Sequence, residues 1–417
     1  MNPVLLSWSI ALAATAGVIL RPFRWPEAIW AVAGALLLVA FGLLPAHLAW
    51  QATGKGTDVY LFLVGMMLLS EVGRREGLFD WIAALAVNHA RGSPRRLFLL
   101  VYLVGVVVTT FLSNDATAVV MTPAVFAAAK KADMKPLPLL YVCAFIANAA
   151  SFVLPISNPA NLVLYANHTP ALASWVARFA LPSLLSIATT FAMLRWTQRQ
   201  SLDGRCARDL PVERLSTNGK IALAGIGVTA VALLTVSAFD MQLGLPTAVL
   251  GMFTSFVVLV KERQSPLELV SDISWSVLPL VAGLFVLVEV LDHTGVIRSL
   301  SRFLAMATDQ NQPATAVMSG FVVAAASNAV NNLPAGLIAS ATSLQAHSPE
   351  RVIDALLIGV DLGPNLSITG SLATILWLAA IRREGEEVSF MQFFRIGVIV
   401  MLPALVLALG ARLIHGH

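Results

Sequence analysis

The sequence predicts an all-α polytopic membrane protein built from two inverted repeats. Its 417 residues are 58% hydrophobic and only 12% charged, with a mean hydropathy of +0.80, whereas soluble domains carry about 25% charged residues. Apolar stretches that could cross about 30 Å of hydrocarbon recur along the whole chain. Basic residues concentrate on one face of the resulting layout, and polar breaks recur at similar spacing in the two halves.

Ten crossings and two apolar hairpins account for the hydrophobic segments. Residues 1–20 have no basic start and no cleavage site, so we interpret them as the first crossing and not as a signal peptide. The hairpins, at about 97–129 and 313–345, are predicted to enter and leave the membrane on the same side. The crossings are predicted at 3–20, 27–45, 57–72, 137–166, 175–194, 219–238, 245–260, 273–291, 350–381 and 390–412.

The basic residues support this layout. With both hairpins re-entrant, 21 of the 27 Lys and Arg residues lie on one face of the membrane. The remaining six lie on the other face: Lys55, Arg178, Arg298, Arg302, Arg351 and Arg412. The positive-inside rule makes the rich face cytoplasmic. We therefore expect an inner-membrane protein with both termini outside and a cytoplasmic central loop.

An internal repeat divides the chain. One set of positions aligns at an offset of 218, namely Gly65 with Gly283, Glu71 with Glu289 and Gly77 with Gly295. Further on, Ser113-Asn114 aligns with Ser327-Asn328 at 214, and Asn148 and Ser157 align with Asp361 and Gly370 at 213. We predict a first repeat at 1–194, a basic cytoplasmic linker at 195–218 and a second repeat at 219–417. Each repeat has five crossings, and because five is odd the second repeat is inverted.

Polar residues interrupt the apolar segments at the hairpin tips and at two predicted broken helices, 137–166 and 350–381. Such breaks in inverted copies mark the binding site of many secondary transporters. Intramembrane carboxylates are functional candidates by default, which makes Asp115 and Asp361 the predicted proton-coupling pair. Asn148 and Ser157 are predicted to support the site. The predicted solute-binding residues are Ser113, Asn114, Asn158, Asn161, Ser327, Asn328, Asn331, Asn332, Thr369, Ser371 and Thr374.

The predicted site has amides, hydroxyls and two carboxyl groups but no Lys or Arg. This chemistry suits a small neutral polyhydroxyl solute, and carboxyl groups kept from water can take up and release protons. No metal site or cofactor is expected, because Cys143 and Cys206 lie in no ligand-like spacing. Nucleic acid is not expected either, because the basic residues lie in short loops.

Three motifs resemble those of the arsenical pump membrane proteins, arsenite and antimonite efflux carriers of the ion transporter superfamily. They are Ser113-Asn-Asp-Ala-Thr-Ala with Pro123, Ser157-Asn-Pro-Ala-Asn161, and Ser327-Asn-Ala-Val-Asn-Asn-Leu-Pro334. The resemblance covers nearly the whole chain. It implies export of trivalent arsenic or antimony hydroxide in exchange for protons, sometimes with a cytoplasmic arsenite-stimulated ATPase as partner.

Other interpretations remain open at this stage. A sodium-coupled dicarboxylate or sulfate transporter would share the fold, although sodium-dependent relatives carry Ser-Asn-Thr at both tips, where this chain has Asp115 and Ala329 in the third position. An intramembrane aspartyl protease also needs two membrane aspartates, and a channel could use the same polar breaks. Individual Ser and Asn residues could simply cap helix ends.

Overall fold

The computed structural model describes residues 2–165, 169–207, 214–239, 241–262 and 265–414. Within these ranges it consists of helices and connecting turns, with no β-strand. Seven of the described helices are long and apolar enough to span a membrane, or up to nine if each of two bent pairs forms one span. Residue 166 of the first predicted broken helix, 208–213 of the predicted linker and 415–417 of the second repeat lie outside the described residues.

The helices of the first half follow in the order of the predicted segments. They are α1 Pro3–Leu20, α2 Glu27–Ala40, α3 Ala46–Lys55, α4 Thr57–Arg75, α5 Leu78–Ala90, α6 Pro94–Leu112, α7 Asn114–Ala116, α8 Thr122–Lys131, α9 Leu137–Ala149, α10 Pro159–Leu164 and α11 Leu172–Thr197.

The helices of the second half repeat this order. They are α12 Thr217–Ala238, α13 Gly244–Glu262, α14 Pro266–Asp272, α15 Val277–His293, α16 Val296–Gln310, α17 Gln312–Val330, α18 Asn332–Gln345, α19 Glu350–Leu362, α20 Leu372–Arg383 and α21 Phe390–Ile414. The predicted broken helices appear as the pairs α9–α10 and α19–α20.

Two predicted crossings are longer and bent. The segment at 57–72 is the second arm of the pair α3–α4, and the segment at 273–291 belongs to α14–α15; each pair bends by 47°. The first bend occurs at Gly56, where a Cβ atom would lie 2.4 Å from the Tyr60 hydroxyl oxygen. Glycine permits this close approach because it has no Cβ.

The aligned glycines have the same structural role in both halves. Gly77 and Gly295 adopt φ values of +69° and +83°, which favour glycine because it has no Cβ. Each one starts a helix, α5 and α16, that was not predicted from the sequence. Both helices are short and flanked by polar residues, so they lack the long apolar run by which the crossings were recognised.

Close helix crossings explain a second aligned pair. A Cβ atom on Gly65 of α4 would lie 2.2 Å from the Thr247 carbonyl oxygen of α13. A Cβ atom on Gly283 of α15 would lie 2.7 Å from the Ala31 carbonyl carbon of α2. Backbones that approach this closely are typical of small-residue contacts between membrane helices.

Through these contacts, each half packs one of its helices against the other half. Helix α4 packs against α13, and the equivalent helix α15 packs against α2. The final helices of the two halves, α11 and α21, pack against each other. The hydrophobic core is consequently shared, and each half contributes surfaces that only the other half covers.

The hairpin tips do not align as predicted. Helix α6 ends at Leu112 and the chain turns at Ser113, whose φ is +117°. Helix α17 continues through Ser327 and Asn328 to Val330, and the chain turns at Asn331, whose φ is +75°. The two turn positions are therefore 218 residues apart, as the aligned glycines are. The predicted match at 214 is wrong, because it paired the two identical Ser-Asn dipeptides and not the two turns. Ser327 and Asn328 lie about one helical turn before the tip.

The first arms of the two hairpins also start at positions 218 residues apart, at the N-caps Ser93 and Asn311. Ser93 caps α6 by accepting a hydrogen bond from the Arg96 amide at 3.4 Å, and Asn311 caps α17 through the Ala314 amide at 3.1 Å. Side chains of this kind satisfy amides that have no partner within the helix. The first arm of each hairpin is long enough to be a span by itself. The re-entrant path of the hairpins, the bounds of the repeats and the orientation of the termini stay predictions.

Candidate functional site

The first hairpin tip is a compact cap. Ser113 Oγ accepts a hydrogen bond from the Ala116 amide at 3.4 Å, and Asn114 Oδ1 accepts one from the Asp115 amide at 2.9 Å. Beyond the tip, Thr117–Met121 forms a π-helical segment, a deformation that often occurs at functional sites. The Thr117 hydroxyl bonds the Thr109 hydroxyl at 2.8 Å, which ties the two arms together. Ser113 and Asn114 are therefore occupied by holding the tip, which leaves the Asp115 side chain as its projecting group.

The first broken helix supports that tip. Ser157 Oγ donates to the Thr110 carbonyl at 3.0 Å, so the predicted supporting residue joins the break to the hairpin. Asn158 Oδ1 caps α10 through the Ala160 amide at 3.0 Å. Asn161 Nδ2 donates to the Ser151 carbonyl at 2.8 Å within its own loop. Asn161 thus shapes the break, while its buried Oδ1 has no protein partner among the described residues.

Amide and carboxyl groups join the two breaks in the core. Asn148 Nδ2 donates to Asn365 Oδ1 at 3.0 Å, and Asn158 Nδ2 donates to Asp361 Oδ1 at 2.8 Å. All four side chains are buried. Asp361 Oδ2 has no hydrogen-bond partner within the described part of the chain. A buried carboxyl oxygen that lacks a partner is costly as a charged group, which is the property expected of a group that binds a proton.

The second hairpin is tied to the second break by a dense network. Asn328 Nδ2 donates to the Gly363 carbonyl at 2.9 Å, and its Oδ1 accepts from Ser367 Oγ at 2.7 Å. Thr369 Oγ1 donates to the Asn328 carbonyl at 3.2 Å. The Asn332 amide donates to the Gly370 carbonyl at 2.9 Å. Ser367 and Asn365 were not among the predicted site residues, although both lie in the predicted break.

Several predicted binding residues bond within their own segment. Ser327 Oγ donates to the Val323 carbonyl one turn back at 2.9 Å. Ser371 and Thr374 form a reciprocal cap at the start of α20, with the Thr374 amide donating to Ser371 Oγ at 3.1 Å. Asn331 Oδ1 accepts from the Leu333 amide at 3.4 Å. Ser371, Thr374 and Asn331 therefore cap helix starts, although Asn331 Nδ2 also reaches the Thr369 carbonyl at 3.5 Å. Ser327 bonds to the backbone within its own helix.

A cavity of about 80 Å³ lies beside the first tip. Drug-sized ligands occupy pockets of about 300–1,000 Å³, so this cavity has room for a small solute only. Its described lining includes no Lys or Arg. Polar and ionisable lining groups come from Ser70, Glu71, Ser113, Asp115, Asp272 and Ser274, and the starts of α10 and α20 close it through Pro159 and Leu372.

Ion pairs occupy the end of this cavity away from the tip. Arg74 Nε donates to Glu71 Oε2 at 2.8 Å, and Arg75 Nη2 donates to Asp272 Oδ2 at 2.9 Å. Glu71 thus pairs with both Arg74 and Arg75, and Glu289, its aligned counterpart, pairs with Lys55 at 2.7 Å. Among the described lining residues, Asp115 is the carboxylate without an ionic partner.

A second buried carboxylate was missed from the sequence. Asp354 Oδ2 accepts from Arg412 Nε at 2.7 Å, and Asp354 Oδ1 accepts from the Tyr165 hydroxyl. Arg412 was assigned to the outer surface, but its side chain is buried. Asp354 precedes Asp361 by seven residues, which is two helical turns, and Tyr165 follows Asn158 by seven. Helices α10 and α19 therefore run antiparallel with a polar contact at each end, a spacing visible in the sequence.

These features define the class of protein. Multiple membrane-length helices, broken helices that meet in the core and a small cavity at a hairpin tip are those of a membrane transporter. The chain belongs to the CitMHS family of citrate transporters in the ion transporter superfamily, because the sequence model of that family matches residues 10–359. It is a transporter rather than an enzyme, and the intramembrane protease interpretation is wrong.

Curated relatives agree with the resemblance in the motifs. The arsenical pump membrane protein of Yersinia enterocolitica is 27% identical over 375 residues, which cover 87% of this chain and 86% of that protein. The arsenical pump membrane protein of Escherichia coli K12 is 26% identical over 397 residues, covering 91% and 92%. An uncharacterized transporter of Mycobacterium tuberculosis is 25% identical over 416 residues, covering 96% of each chain.

A solved structure supports the fold. The crystal structure of the YdaH transporter of Alcanivorax borkumensis, described as having an unusual topology, matches with a TM-score of 0.58 at 14% identity. The match covers 99% of this chain and 98% of that one. At this identity the similarity concerns the fold alone, and it confirms the all-α polytopic architecture.

Proposed function

We propose that this transporter exports arsenite and antimonite, as neutral trivalent hydroxides, in exchange for protons by alternating access. The observation that carries the proposal is the small cavity, whose described lining offers hydroxyl and carboxyl groups but no cation. An anion would meet the Asp115 carboxylate there, which is unpaired among the described residues. The nearest described cations, Arg74 and Arg75, are already paired with Glu71 and Asp272. A neutral solute with several hydroxyl groups can donate to Asp115 and accept a hydrogen bond from the Ser113 hydroxyl, whose oxygen already accepts from the Ala116 amide.

Asp115 is the proposed coupling residue. It lines the cavity, and within the described residues its carboxylate has no ion pair or hydrogen bond, so solute and proton can compete for it. Asp361 lies deeper, held by Asn158 at 2.8 Å, and its second oxygen is the proposed site of a proton that stabilises the meeting of the two breaks. Asp115 therefore binds solute and proton in turn, while a proton on Asp361 stabilises the contact between the two breaks.

The cycle follows from this assignment. A proton from outside neutralises Asp115, the carrier turns inward, the proton leaves, and the trihydroxide binds to the freed carboxylate. The solute departs after the return turn. One proton that moves through 100 mV contributes about 2.3 kcal/mol, enough for a solute gradient of roughly forty-fold at about 1.4 kcal/mol per decade. In the predicted orientation the cavity opens toward the cytoplasm, because Arg74 and Arg75 lie at its mouth.

Transport by the purified chain in proteoliposomes tests the proposal. Arsenite and antimonite would be detected by mass spectrometry under an imposed proton gradient, an imposed sodium gradient, or neither. We expect arsenite movement that follows the proton gradient and does not change with sodium. Arsenite movement that requires sodium, or none under any gradient, would contradict the proposal.

A carboxylate carrier is the second candidate, because the family is described as citrate transporters. Citrate, a dicarboxylate or sulfate would need bound cations, such as sodium, to compensate the carboxylates of the cavity. The same vesicles distinguish the two candidates: sodium-dependent citrate, succinate or sulfate uptake with no arsenite transport would favour this one. A cytoplasmic ATPase partner is a separate part of the first proposal, and co-purification with added ATPase subunit checks it.

A further inference from the structure

A second cavity, of about 440 Å³, lies where α6 begins and α11 ends. Its lining residues belong neither to the hairpin tips nor to the polar breaks. Three guanidinium groups face it, from Arg95, Arg195 and Arg199. Its apolar part is formed by Phe191, Trp196 and Leu202. Both α6 and α11 are membrane-length helices, so the cavity lies at a membrane boundary. We call it the arginine cavity.

The positive charge of the arginine cavity is only partly compensated. Arg95 Nη2 pairs with Asp203 Oδ1 at 2.5 Å, and both side chains are more than half exposed. Arg199 lies over the Trp196 ring at 5.5 Å, which orients the guanidinium but does not neutralise it. Arg195 has no acidic partner among the described residues. Among the described residues the net charge around the cavity is therefore positive, which favours an anionic group.

Apolar stripes lead from the arginine cavity into the membrane. On α6, the exposed residues Leu99, Leu103 and Val107 follow Arg95 at helical spacing. On α11, the exposed residues Ala192, Ala188 and Leu184 lie on the same face as Arg195. The two helices are joined beneath the stripes, because the Tyr102 hydroxyl donates to the Ile187 carbonyl at 2.6 Å. The stripes thus border one groove with the arginines at its end.

We propose that this groove binds one anionic phospholipid, with the phosphate at Arg95, Arg195 and Arg199 and the acyl chains along the two stripes. Guanidinium groups bind phosphate oxygens in a fixed planar geometry, and basic pockets between membrane helices bind anionic lipid head groups. Trp196, which is 53% exposed, has the interfacial position typical of tryptophan in membrane proteins. The cavity volume suits a head group with its glycerol. The proposal rests on the fold and does not depend on the transported solute.

Native mass spectrometry of the purified full chain tests the proposal. We expect phosphatidylglycerol to bind at least roughly tenfold more tightly than phosphatidylcholine. The triple variant R95Q/R195Q/R199Q should lose this preference, whereas the charge-matched control R382Q/R383Q/R395Q, with exposed arginines outside the cavity, should keep it. The variant R95K/R195K/R199K should recover part of the preference, because it restores the charge without the planar geometry.

Further measurements separate the alternative outcomes. Inorganic phosphate alone should not shift the thermal unfolding midpoint of the wild type, whereas phosphatidylglycerol should raise it. A shift with phosphate equal to that with the lipid would assign the site to free phosphate and overturn the lipid proposal. Equal binding of the two lipids by the wild type, or an equal loss of preference in the control, would also overturn it. If the triple variant does not fold, the single variant R195Q provides the same comparison.

Discussion

At the residue scale, the two carboxyl groups of the predicted coupling pair have different surroundings. Asp361 is fully buried and accepts a hydrogen bond from Asn158. Asp115 lines a cavity and has no side-chain hydrogen bond among the described residues. A group that must meet both solute and proton needs access, and only Asp115 has it. The residue after Asn114 is Asp115, whereas the residue after the equivalent Asn332 is Leu333. Only the first hairpin tip therefore carries a carboxyl group.

The first prediction concerns Asp115→Asn. This variant removes the charge but keeps the size of the side chain, so we expect it to fold and to lose proton-driven arsenite transport by at least roughly tenfold, the effect of about 1.4 kcal/mol. Transport would be measured in proteoliposomes under an imposed proton gradient. Asp309→Asn, at an exposed end of α16, serves as the control and should transport normally. Undiminished transport by Asp115→Asn would remove Asp115 from the coupling role.

The second prediction concerns the buried pair of Asp354 and Arg412. Asp354→Asn removes a buried carboxylate that Arg412 contacts at 2.7 Å and Arg178 at 3.7 Å, and breaking a buried ion pair costs about 3–5 kcal/mol. The double variant with leucine at both positions should be more stable than either single leucine variant, since it removes both members of the Asp354–Arg412 pair together. Unfolding in mixed micelles measures both effects. Asp203→Asn, in an exposed pair, should change stability by less than about 1 kcal/mol. A similar small effect of Asp354→Asn would contradict the prediction.

The residue types of the site could be predicted from the sequence, but many of their partners could not. The cost of polar groups in the membrane singled out Asp115, Asn158 and Asp361; the structure joins Asn158 to Asp361 and places Asp115 at the cavity, and their roles stay predictions. That cost could not show that Ser371 and Thr374 cap their own helix, because capping and solute binding need the same side chains. The contact between Asp354 and Arg412 joins positions 58 residues apart on α19 and α21, and only folding brings them together.

At the element scale, the main features are the tips, the breaks and the close helix crossings. Turn geometry explains why the tip of the second hairpin lies at Asn331 and not at Ser327. Asn tolerates positive φ better than most residues, and Asn331 supplies that conformation, whereas Ser327 continues the helix. The glycine register of 218 places Asn331 opposite Ser113, in agreement with the turn positions of the structure. The repeated Ser-Asn pair does not, because a dipeptide can recur by chance within small-residue helices.

The third prediction concerns the helix crossing at Gly65. Gly65→Ala places a methyl group 2.2 Å from the Thr247 carbonyl oxygen, and overpacking of this kind costs about 1–3 kcal/mol. Gly227→Ala is the matched control, because Gly227 lies within α12 and a Cβ atom there meets nothing within 4 Å. We expect a lower thermal midpoint for Gly65→Ala and an unchanged or higher one for Gly227→Ala. Equal midpoints would show that α4 and α13 can move apart without cost.

At the scale of the whole molecule, hydrophobicity and periodicity predicted the class of fold and the repeated order of helices. The bent pairs and the helices α5 and α16 were missed, because their apolar runs are short. Membrane orientation depends on charge in the loops, and the packing of the helices does not determine it. The re-entrant hairpins and the outward termini therefore require a test in a membrane.

The fourth prediction concerns that orientation. Single cysteines in place of Gln310 and His347, at the two ends of the second hairpin, should both react with an impermeant thiol reagent added outside the cell. A cysteine in place of Ser216 should react only after the inner face is exposed. The background would lack Cys143 and Cys206. Reaction of the two hairpin positions from opposite faces would show that the hairpin crosses the membrane.

The exchange of α4 and α15 between the halves also has a consequence for synthesis. Helix α2 ends at Ala40 and packs against α15, which ends at His293, so the ribosome completes α15 about 250 residues later. At ~5–20 residues per second, this delay is roughly 12–50 s. Throughout that time the small-residue face of α2 around Ala31 has no protein to contact. Helix α2 can already pack against α1 during this time, but the surface that α15 later covers must wait in the bilayer or against the insertion machinery, and the first half completes its packing only when the second half arrives.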